Sequence, residues 1–385
     1  MRRGGTARSG CALGDKGALH RSRADDARDR RYMRRALVLA RRGWGHTAPN
    51  PMVGAVIVRG GVVVGEGFHA EYGGDHAEVA ALRAAGERAR GATVYVTLEP
   101  CSHVGKTPPC ADALIAAGVS RVVIAVRDPH PLAGGGLDRL ARAGIVVTTG
   151  VEAARAFELN APFFHVLQAE RPWVSLKLAL SIDGAHADAQ GRSRWVTGER
   201  ARRETHRLRA GHDAVVVGIG TALADDPSLT VRGVRAPRVP PRRVIFDRHA
   251  RLPLDSQLVR SARKVPTIVV AESPDATRAA ALEHAGVRVL TAASLPDALV
   301  GLRQMEIQSM LVEGGARLAG AFLANAVVDR LIIFRAAIVL GAGAPQGLAC
   351  APPVALADAP RFPLVELRRM GEDIMAVYDV SGHED

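Results

Sequence analysis

Short apolar runs of strand length alternate with helix-length periodic segments along most of this chain. Strands joined through helices tend to lie parallel, so this alternation predicts an α/β fold with a partly parallel sheet. The runs Val53–Val58 and Val62–Val64 flank Gly60-Gly61 and predict a β-hairpin. Further strands are predicted at Val94–Leu98, Val122–Val126 and Ile145–Thr148, and helices at Tyr32–Ala40, His76–Ala89 and Pro109–Gly118.

A second series of the same kind begins at Pro172. Because domains commonly have about 100–200 residues, the length of 385 residues suggests two of them. The predicted organisation is a disordered basic extension (1–29), a first domain (30–150), a connecting helix and linker (151–171) and a second domain (172–382). In the second domain, strands are predicted at Val174–Leu180, Ala214–Val217, Arg243–Phe246, Thr267–Val270, Val287–Leu290, Met310–Val312 and Leu331–Phe334, with helices at 199–210, 276–285, 295–304 and 316–325.

The net charge of +12 is concentrated at the start of the chain. Residues 1–50 hold thirteen Lys or Arg and four Asp or Glu, so they carry +9, and the other 335 residues carry only +3. This distribution argues against a basic groove for nucleic acid in a folded domain. Residues 1–29 lack the apolar run of a secretory signal, and their acidic residues are unusual for an organelle transit peptide. No stretch approaches the roughly 20 apolar residues that span a bilayer, so no membrane partner is expected.

The four cysteines are too few and too scattered for a disulfide framework. A reducing cytoplasm is the simplest setting for such a chain. Cys11 and Cys350 are predicted to be incidental, and the other two belong to the motif described next.

His76, Glu78, Cys101 and Cys110 form the strongest chemical signal in the sequence. A catalytic zinc ion needs three protein ligands and an open position for water, and one imidazole with two thiolates supplies them. The ion lowers the pKa of its water to about 7, and a carboxylate beside it can then move protons between water and substrate. We therefore predict one zinc ion per chain on His76, Cys101 and Cys110, with Glu78 as the catalytic acid–base.

The spacing of the two cysteines departs from the Pro-Cys-x-x-Cys signature of zinc nucleobase deaminases. Here eight residues separate Cys101 from Cys110. An isolated His or Cys in an α/β core is more often structural than a ligand, so the prediction depends on the whole constellation. His69 and His103 remain alternative imidazole ligands, although His103 is more naturally a substrate contact because it lies only two residues from Cys101.

Residues 50–131 resemble the deaminase half of the bifunctional deaminase-reductases of riboflavin biosynthesis. The resembling strings are PNPMVGAVIV, HAEVAALRAAG, VTLEPCSHVGKTPPC and DPHP. The eight residues SHVGKTPP between the cysteines distinguish this family from tRNA adenosine and cytidine deaminases. The resemblance implies a cytidine-deaminase-like three-layer domain and hydrolysis of the 2-amino group of a small phosphoribosylated pyrimidine.

The same resemblance implies that Asn50 and His103 contact the pyrimidine. Lys106 would be a phosphate contact, since a flexible ammonium suits phosphate as a point charge. The loop Leu132–Gly136 departs from the family pattern, because it is one residue shorter and lacks a basic side chain. This departure bears on the tightness of phosphate binding and not on the zinc chemistry.

Glu313 and the glycines after it stand at a predicted strand-to-helix junction. Free N–H groups at a helix start, with no side chain in the way, attract a phosphate. Alone, Gly314-Gly315 is better explained as a simple turn, and Gly218-x-Gly220 lacks the third glycine of a dinucleotide-binding fingerprint. Neither motif decides the function by itself.

Four strings taken in order give the second half its identity. LKLALSIDG, SRWVT, ADDPSLTVR and VEGGARLAGAF resemble the reductase half of the same family. The resemblance implies a dihydrofolate-reductase-like domain that uses NADPH to reduce a ribosylamino group to ribitylamino, with Lys177 and Asp183 lining the reaction centre. Arg248, which follows a predicted strand, is our candidate for holding the cofactor's additional phosphate. The implied NADPH contacts are Ala179, Trp195, Thr221, Asp225, Gly315, Ala316, Arg317, Leu318, Ala319, Gly320 and Ala321, and the implied substrate contacts are Lys177, Asp183, Ser193, Arg209, Leu229, Arg232 and Glu313.

Two other functions stay open from the sequence. A tRNA or nucleobase deaminase with an accessory domain would use the basic N-terminus, but the cysteine spacing and the cofactor-like second half argue against it. A reductase with an inactive deaminase module is suggested only by the altered loop Leu132–Gly136. The reductase-like fold commonly pairs through strands, so we expect a homodimer.

Overall fold

The computed structural model describes residues 23–102, 108–130, 134–348 and 354–381. They form two sheets, one of five strands in the first half and one of nine strands in the second. No helix in these ranges combines the length and the apolar character that crossing a membrane requires.

The first sheet contains the predicted hairpin and the three strands predicted after it. Its strands are β1 (Gly54–Arg59), β2 (Val62–Phe68), β3 (Thr93–Leu98), β4 (Arg121–Val126) and β5 (Val146–Thr149), in the order β2-β1-β3-β4-β5. β1 is antiparallel to β2 and β3, whereas β3, β4 and β5 are parallel. Gly60 and Gly61 both have positive φ, 57° and 78°, as a tight two-residue hairpin turn requires.

Helices cover both faces of this sheet. They are α1 (Arg23–Ala40), α2 (Ala77–Ala85), α3 (Cys110–Ala116) and α4 (Gly136–Arg142), and a 3₁₀ turn (Gly86–Ala89) follows α2. Val56 and Ile57, adjacent on β1, point to opposite faces: Val56 packs in one core with α1, and Ile57 packs in another with α2 and α3. The predicted three-layer arrangement of the first half is confirmed.

α1 begins at Arg23, seven residues before the predicted start of the first domain. The prediction of a disordered extension is therefore wrong for residues 23–29, and residues 1–22 lie outside the described ranges. Asp29 is buried beneath the sheet, where its carboxylate accepts hydrogen bonds from Arg121 at 2.6 Å and from the Tyr95 hydroxyl at 2.9 Å. This buried contact with β3 and β4, which no local pattern reveals, holds the start of the helix in place.

The second sheet is mostly parallel, with an antiparallel hairpin at one edge. Its strands are β6 (Trp173–Leu180), β7 (Ala214–Gly218), β8 (Arg242–Phe246), β9 (Thr267–Ala271), β10 (Arg288–Thr291), β11 (Ser309–Val312), β12 (Arg330–Arg335), β13 (Leu364–Met370) and β14 (Asp373–Asp379), in the order β10-β9-β8-β7-β11-β6-β12-β14-β13. The seven predicted strands are present, and the hairpin β13–β14 is an addition. β13 escaped prediction because this edge strand is largely exposed and its side chains are partly charged.

Helices flank the second sheet and join its strands. They are α7 (Glu199–Ala210), α8 (Ile219–Asp225), α9 (Gln257–Arg260), α10 (Ala276–His284), α11 (Leu295–Gln304) and α12 (Ala316–Ala324). The four longer ones match the predicted helices within one residue, and the short helices α8 and α9 were not predicted. Val215 and Val216 on β7 pack into different cores, so both faces of the sheet are buried.

The predicted connecting segment forms two short helices, α5 (Ala153–Leu159) and α6 (Ala161–Val166). Asn160 lies between them, and its side-chain amide both accepts from the backbone N–H and donates to the backbone carbonyl of Met52, at 2.8 and 2.9 Å. Glu158 forms an ion pair with Arg330 of β12 at 2.6 Å. The connection is thus fixed to both halves.

Candidate active sites

The three predicted zinc ligands converge at one edge of the first sheet. Cys101 follows β3, while His76 immediately precedes α2 and Cys110 is the first residue of α3. The His76 Nδ1 atom lies 3.1 Å from the Cys110 sulfur and 3.6 Å from the Cys101 sulfur. All three ligand atoms lie within 4.8 Å of one another.

A close approach of α2 to the hairpin sets this position. A side chain at Gly67 of β2 would place its Cβ 2.4 Å from the Ala77 carbonyl oxygen and equally close to the Ala81 nitrogen. Only glycine lets the helix lie so near the strand, and His76 caps the helix at this end.

The electrostatics of the cluster suit a metal cation. A hydrogen bond from the Cys110 thiol, assisted by His76, lowers the pKa of Cys101 to about 4 despite the opposing effect of burial. The same contact and burial raise the pKa of Cys110. One nitrogen and two sulfurs, one of them in a thiol of lowered pKa, form a donor set that fits zinc. In the part of the chain that the structure describes, this is the one group of three such residues within metal-binding distance.

Glu78 lies in the first turn of α2, and its side chain is buried beside the cluster. Burial raises its pKa to about 7, although His76 and a hydrogen bond from Cys110 partly counter this effect. A carboxyl group with a pKa near neutrality can both accept and donate protons, which suits an acid–base catalyst.

His69 lies next to the three predicted zinc ligands but is not part of their group. Its Nδ1 atom is 2.9 Å from the Asp75 carbonyl, and its ring stands edge-on to the ring of His76 at 5.5 Å. The Nε2 atom faces the side-chain amide of Asn50 at 3.3 Å. The structure therefore brings the predicted substrate contact Asn50 to the zinc site, while His103 and Lys106 lie outside the described residues.

Glu99 is a residue at this site that the sequence analysis missed. Its carboxylate accepts hydrogen bonds from the backbone N–H groups of Asp128, Gly135 and Leu137, at 3.2, 3.1 and 2.9 Å. It thus holds the ends of the segment that includes the altered loop, of which residues 131–133 lie outside the described ranges. The available signal was its position at a strand end, two residues before Cys101.

The second site is a cleft of about 810 Å³ at the carboxyl ends of β6, β7 and β11. Ligands of open α/β sheets commonly bind at such an edge. Most of the predicted cofactor and substrate contacts line it: Lys177, Ala179, Ser193, Trp195, Arg209, Thr221, Asp225, Leu229, Arg232, Glu313, Gly315 and Ala316.

A buried charge cluster lies in this cleft. Arg209 donates two hydrogen bonds to the Glu313 carboxylate, at 2.6 and 2.9 Å. Burial acts to raise the pKa of Glu313, but Arg209 and the charge of Lys177 outweigh it and lower that pKa. Burial lowers the pKa of Lys177, which the charge of Glu313 offsets only in part. The Lys177 ammonium lies 5.7 Å from the centre of the Phe334 ring.

The start of α12 forms one wall of the cleft. Gly314 and Gly315 precede the helix, and a Cβ on Gly314 would lie 2.6 Å from the Leu318 side chain. Gly315 and Ala316 line the cleft, whereas Ala319 and Gly320 are buried. The other predicted contacts on this helix, Arg317, Leu318 and Ala321, are not among the lining residues.

Two further predicted site residues, on other elements, also lie outside the cleft lining. Asp183 accepts hydrogen bonds from Ser181 and from the backbone N–H groups of Gly341 and Leu340, which lower its pKa to about 2. It thereby joins two loops. Arg248 is exposed and pairs with Glu272 at 2.7 Å.

Sequence reasoning also missed a row of cleft residues on α7. Arg202 and His206 line the cleft beside Arg209, at spacings of four and three residues that place them on one face of the helix. This spacing was the available signal. His186 also lines the cleft, and its buried Nδ1 atom has no hydrogen-bond partner in the described residues.

Family comparisons divide the chain as the fold does. Residues 172–376 match the RibD C-terminal domain, and residues 26–126 match the cytidine and deoxycytidylate deaminase zinc-binding region. The chain is 44% identical to riboflavin biosynthesis protein RibD of Aquifex aeolicus over 82% of this chain and 88% of that protein. It is 43% identical to RibD of Escherichia coli over 90% of this chain and 98% of that protein.

Solved structures agree in both halves. RibD of Acinetobacter baumannii is 40% identical and superposes with a TM-score of 0.80, covering 92% of this chain and 99% of that one. A Thermotoga maritima diaminohydroxyphosphoribosylaminopyrimidine deaminase/5-amino-6-(5-phosphoribosylamino)uracil reductase is 34% identical, also with a TM-score of 0.80 and the same coverage. The predicted fold class, a cytidine-deaminase-like domain followed by a dihydrofolate-reductase-like domain, is confirmed.

Proposed function

Because the chain belongs to the RibD family of riboflavin biosynthesis proteins, we propose that it catalyses two consecutive steps of that pathway. The first half hydrolyses the 2-amino group of 2,5-diamino-6-(5-phosphoribosylamino)pyrimidin-4-one and releases ammonia. The second half reduces the ribosyl side chain of the resulting uracil to ribityl. The convergence of His76, Cys101 and Cys110 beside the buried Glu78 is the observation that carries the proposal.

In the deaminase half, His76, Cys101 and Cys110 would hold one zinc ion. When bound, zinc supplies a water acidic enough to act as a nucleophile at neutral pH. Glu78 accepts one proton of the attacking water and passes it to the ring nitrogen, and then carries the second proton of that water to the amino group, which leaves as ammonia while the carbonyl forms. Asn50 orients the pyrimidine, and burial of the carboxyl group keeps bulk water from competing for its proton.

In the reductase half, the cleft would hold a nicotinamide cofactor, which supplies hydride to the first carbon of the opened sugar. Gly315, at the start of α12, lines the cleft and has no side chain to keep a phosphate away from the helix. Arg232 is suited to the sugar phosphate, since its guanidinium can bind two oxygens. Arg209 contributes to substrate binding by holding the Glu313 carboxylate, because its three guanidinium nitrogens already donate to Glu313 and to the Thr230 carbonyl. Lys177 lines the reaction centre, where a pKa lowered by burial makes its proton easier to transfer.

We further propose that the cofactor is NADPH and that the reactions take place in the cytoplasm. A reducing compartment keeps Cys101 and Cys110 available as zinc ligands. Comparison of turnover with NADPH and NADH tests the first point, and fractionation of cells tests the second.

We also propose that two copies pair through the last hairpin. Leu364 and Leu367 of the edge strand β13 and Ile374 of β14 are 54%, 61% and 46% exposed, which is typical of a surface that another chain covers. Leu367→Lys should give monomers in analytical ultracentrifugation, whereas Leu356→Lys, on an exposed 3₁₀ turn, should leave the dimer intact.

The two alternative functions have less support. A nucleic-acid deaminase gives no role to a cleft that gathers twelve predicted cofactor and substrate contacts. An inactive deaminase module would not need to bring three metal-binding atoms together beside a buried acid.

Incubation with the diamino pyrimidine phosphate, with and without NADPH, tests the function directly. Ammonia should appear in both reactions, and cofactor absorbance should fall only after deamination. Cofactor oxidation without ammonia release would contradict the proposed order, and absence of both would contradict the function.

A further inference from the structure

Trp44 belongs to the first half but packs against the second. Its indole N–H donates a hydrogen bond of 2.8 Å to the backbone carbonyl of Arg207, near the end of α7. The guanidinium of Arg207 also lies over the indole ring, 5.0 Å from its centre. A hydrogen bond and a cation–π contact therefore fix the ring on the last turn of that helix.

Gly211, the residue directly after α7, leaves space for this ring. A Cβ on Gly211 would lie 2.1 Å from two indole carbon atoms of Trp44, closer than any packing allows. Gly211 has φ −100° and ψ 5°, values that other residues adopt readily. Space for Trp44, and not backbone conformation, is therefore what requires glycine there.

The turn that Trp44 contacts carries a central side chain of the reductase cleft. Arg209 lies between Arg207 and Gly211 in the sequence, and it reaches across to hold Glu313 in the cleft. A shift of the last turn of α7 would move the guanidinium that this buried carboxylate depends on.

A second connection leads from the same ring to β6. The ring of His212 stands edge-on to Trp44 at 6.4 Å, and its Nε2 atom lies 3.0 Å from the Ser175 hydroxyl. Ser175 and Lys177 are two residues apart on β6 and so share a face of the strand. Trp44 thus contacts α7, which carries Arg209, directly, and β6, which carries Lys177, through His212.

The segment around Trp44 is itself held firmly. The backbone N–H of Arg238 donates to the carbonyl of Gly45 at 2.9 Å, and its guanidinium donates to that of Ala48 at 2.6 Å. A Cβ on Gly45 would lie 2.5 Å from the Ala210 carbonyl oxygen, so the two backbones are nearly in contact. A segment anchored at several points can transmit a fixed position to α7.

We propose that Trp44 is a positioning residue of the reductase: a side chain of the deaminase half that fixes the end of α7, and with it the Arg209–Glu313 pair. On this basis, the geometry of the reductase cleft depends on a residue of the other half of the chain, although that residue does not line the cleft. The inference rests on the role proposed above for Arg209 in substrate binding.

Steady-state kinetics of full-length variants on the deaminated substrate with NADPH test this inference. Trp44→Ala should raise the reductase KM for that substrate about tenfold, with a smaller change in kcat, since sub-ångström misplacement of a binding group is costly. Trp44→Phe keeps an aromatic ring in the space beside Gly211 but removes the indole N–H that donates to the Arg207 carbonyl, so its KM should rise less. A KM at the wild-type value in Trp44→Ala would overturn the proposal.

A double-mutant cycle separates the specific contact from general damage. Gly211→Ala should raise the reductase KM in the wild-type background, where the new methyl group collides with the indole of Trp44. It should not raise KM further in Trp44→Ala, where the indole is absent. Equal effects in the two backgrounds would rule out the contact as the cause.

Two further variants complete the design. Val58→Ala creates a cavity in the core of the first half, away from α7, and should leave the reductase KM unchanged. A rise equal to that of Trp44→Ala would mean that mere destabilisation of this half is responsible. Arg209→Ala by itself should raise the reductase KM. An unchanged KM would refute the role of Arg209 in substrate binding and, with it, this inference. Ammonia release by the wild-type protein tests the deaminase function separately.

Discussion

Arg209 and Glu313 form a two-pronged, largely buried ion pair between α7 and the end of β11, with 13% and 8% of their side chains exposed. Removing one partner of such a pair leaves a buried charge without compensation. We therefore expect Glu313→Gln, which leaves Arg209 and Lys177 without a counter-charge, to lower the free energy of unfolding by about 3 kcal/mol in urea denaturation.

The control for that measurement is another ion pair of similar length. Glu272→Gln breaks the exposed pair with Arg248, where water can solvate the remaining guanidinium, and should change stability far less. If Glu313→Gln and Glu272→Gln lowered the free energy of unfolding equally, burial of the Arg209–Glu313 pair would not affect its contribution to stability.

Glu78→Gln should abolish ammonia release and leave NADPH oxidation on the deaminated substrate intact. The amide keeps the shape of the carboxyl group but cannot transfer protons. Both activities measured on the same preparation check this expectation. Loss of the two together would contradict the assignment of Glu78 to the deaminase reaction alone.

Metal analysis of gently purified protein should find one zinc ion per chain. Cys110→Ser replaces a soft sulfur ligand by a hydroxyl group that binds zinc poorly, and it should lower the zinc content severalfold. Cys350→Ser should retain the full content, since the sequence predicts that cysteine to be incidental. Unchanged zinc in Cys110→Ser would remove Cys110 from the ligand set.

His212 should make stability depend on pH below neutrality. Burial lowers its pKa below the ordinary value of about 6.5, so the folded protein binds fewer protons than the unfolded chain. Its contribution is complete above about pH 6.5 and is lost as the pH falls from there through the lower pKa of the folded protein. The melting temperature should therefore drop between pH 7 and pH 5, and the drop should be shallower in His212→Gln but not in His284→Gln, which alters an exposed histidine.

Cofactor preference should not depend on Arg248. The sequence analysis proposed this residue for the additional phosphate of NADPH, but its guanidinium lies on the surface with Glu272. Arg248→Ala should keep the wild-type ratio of kcat/KM for NADPH and NADH. A marked fall in that ratio would restore the original proposal.

The convergence of the three predicted zinc ligands could be anticipated because they belong to short motifs. His76 and Glu78 are two residues apart, and Cys101 follows a predicted strand, so the sequence already places these residues at the ends of secondary-structure elements. Glu99 was missed because its carboxylate accepts hydrogen bonds from the backbone of a segment distant in sequence, and such a role cannot be recognised from the residue type alone.

Several residues of the reductase cleft could not be assigned from the sequence. Arg202 and His206 lie on the same face of α7 as Arg209, but only the packing of the helix against the sheet shows that this face borders the cleft. Asp183 follows β6 closely in sequence, yet the backbone N–H groups of Leu340 and Gly341 hold its carboxylate toward another loop. Proximity along the chain fixes neither helix rotation nor the direction of a loop side chain.

The burial of Asp29 has a practical consequence for shortening the chain. A truncated protein that starts at residue 23 keeps the carboxylate that neutralises Arg121 beneath the sheet. A truncated protein that starts at residue 30, where the composition alone would suggest a cut, leaves a half-buried guanidinium and the Tyr95 hydroxyl without that acceptor. The safe place to trim is thus decided by a single acid inside the molecule and not by the basic residues that surround it in the sequence.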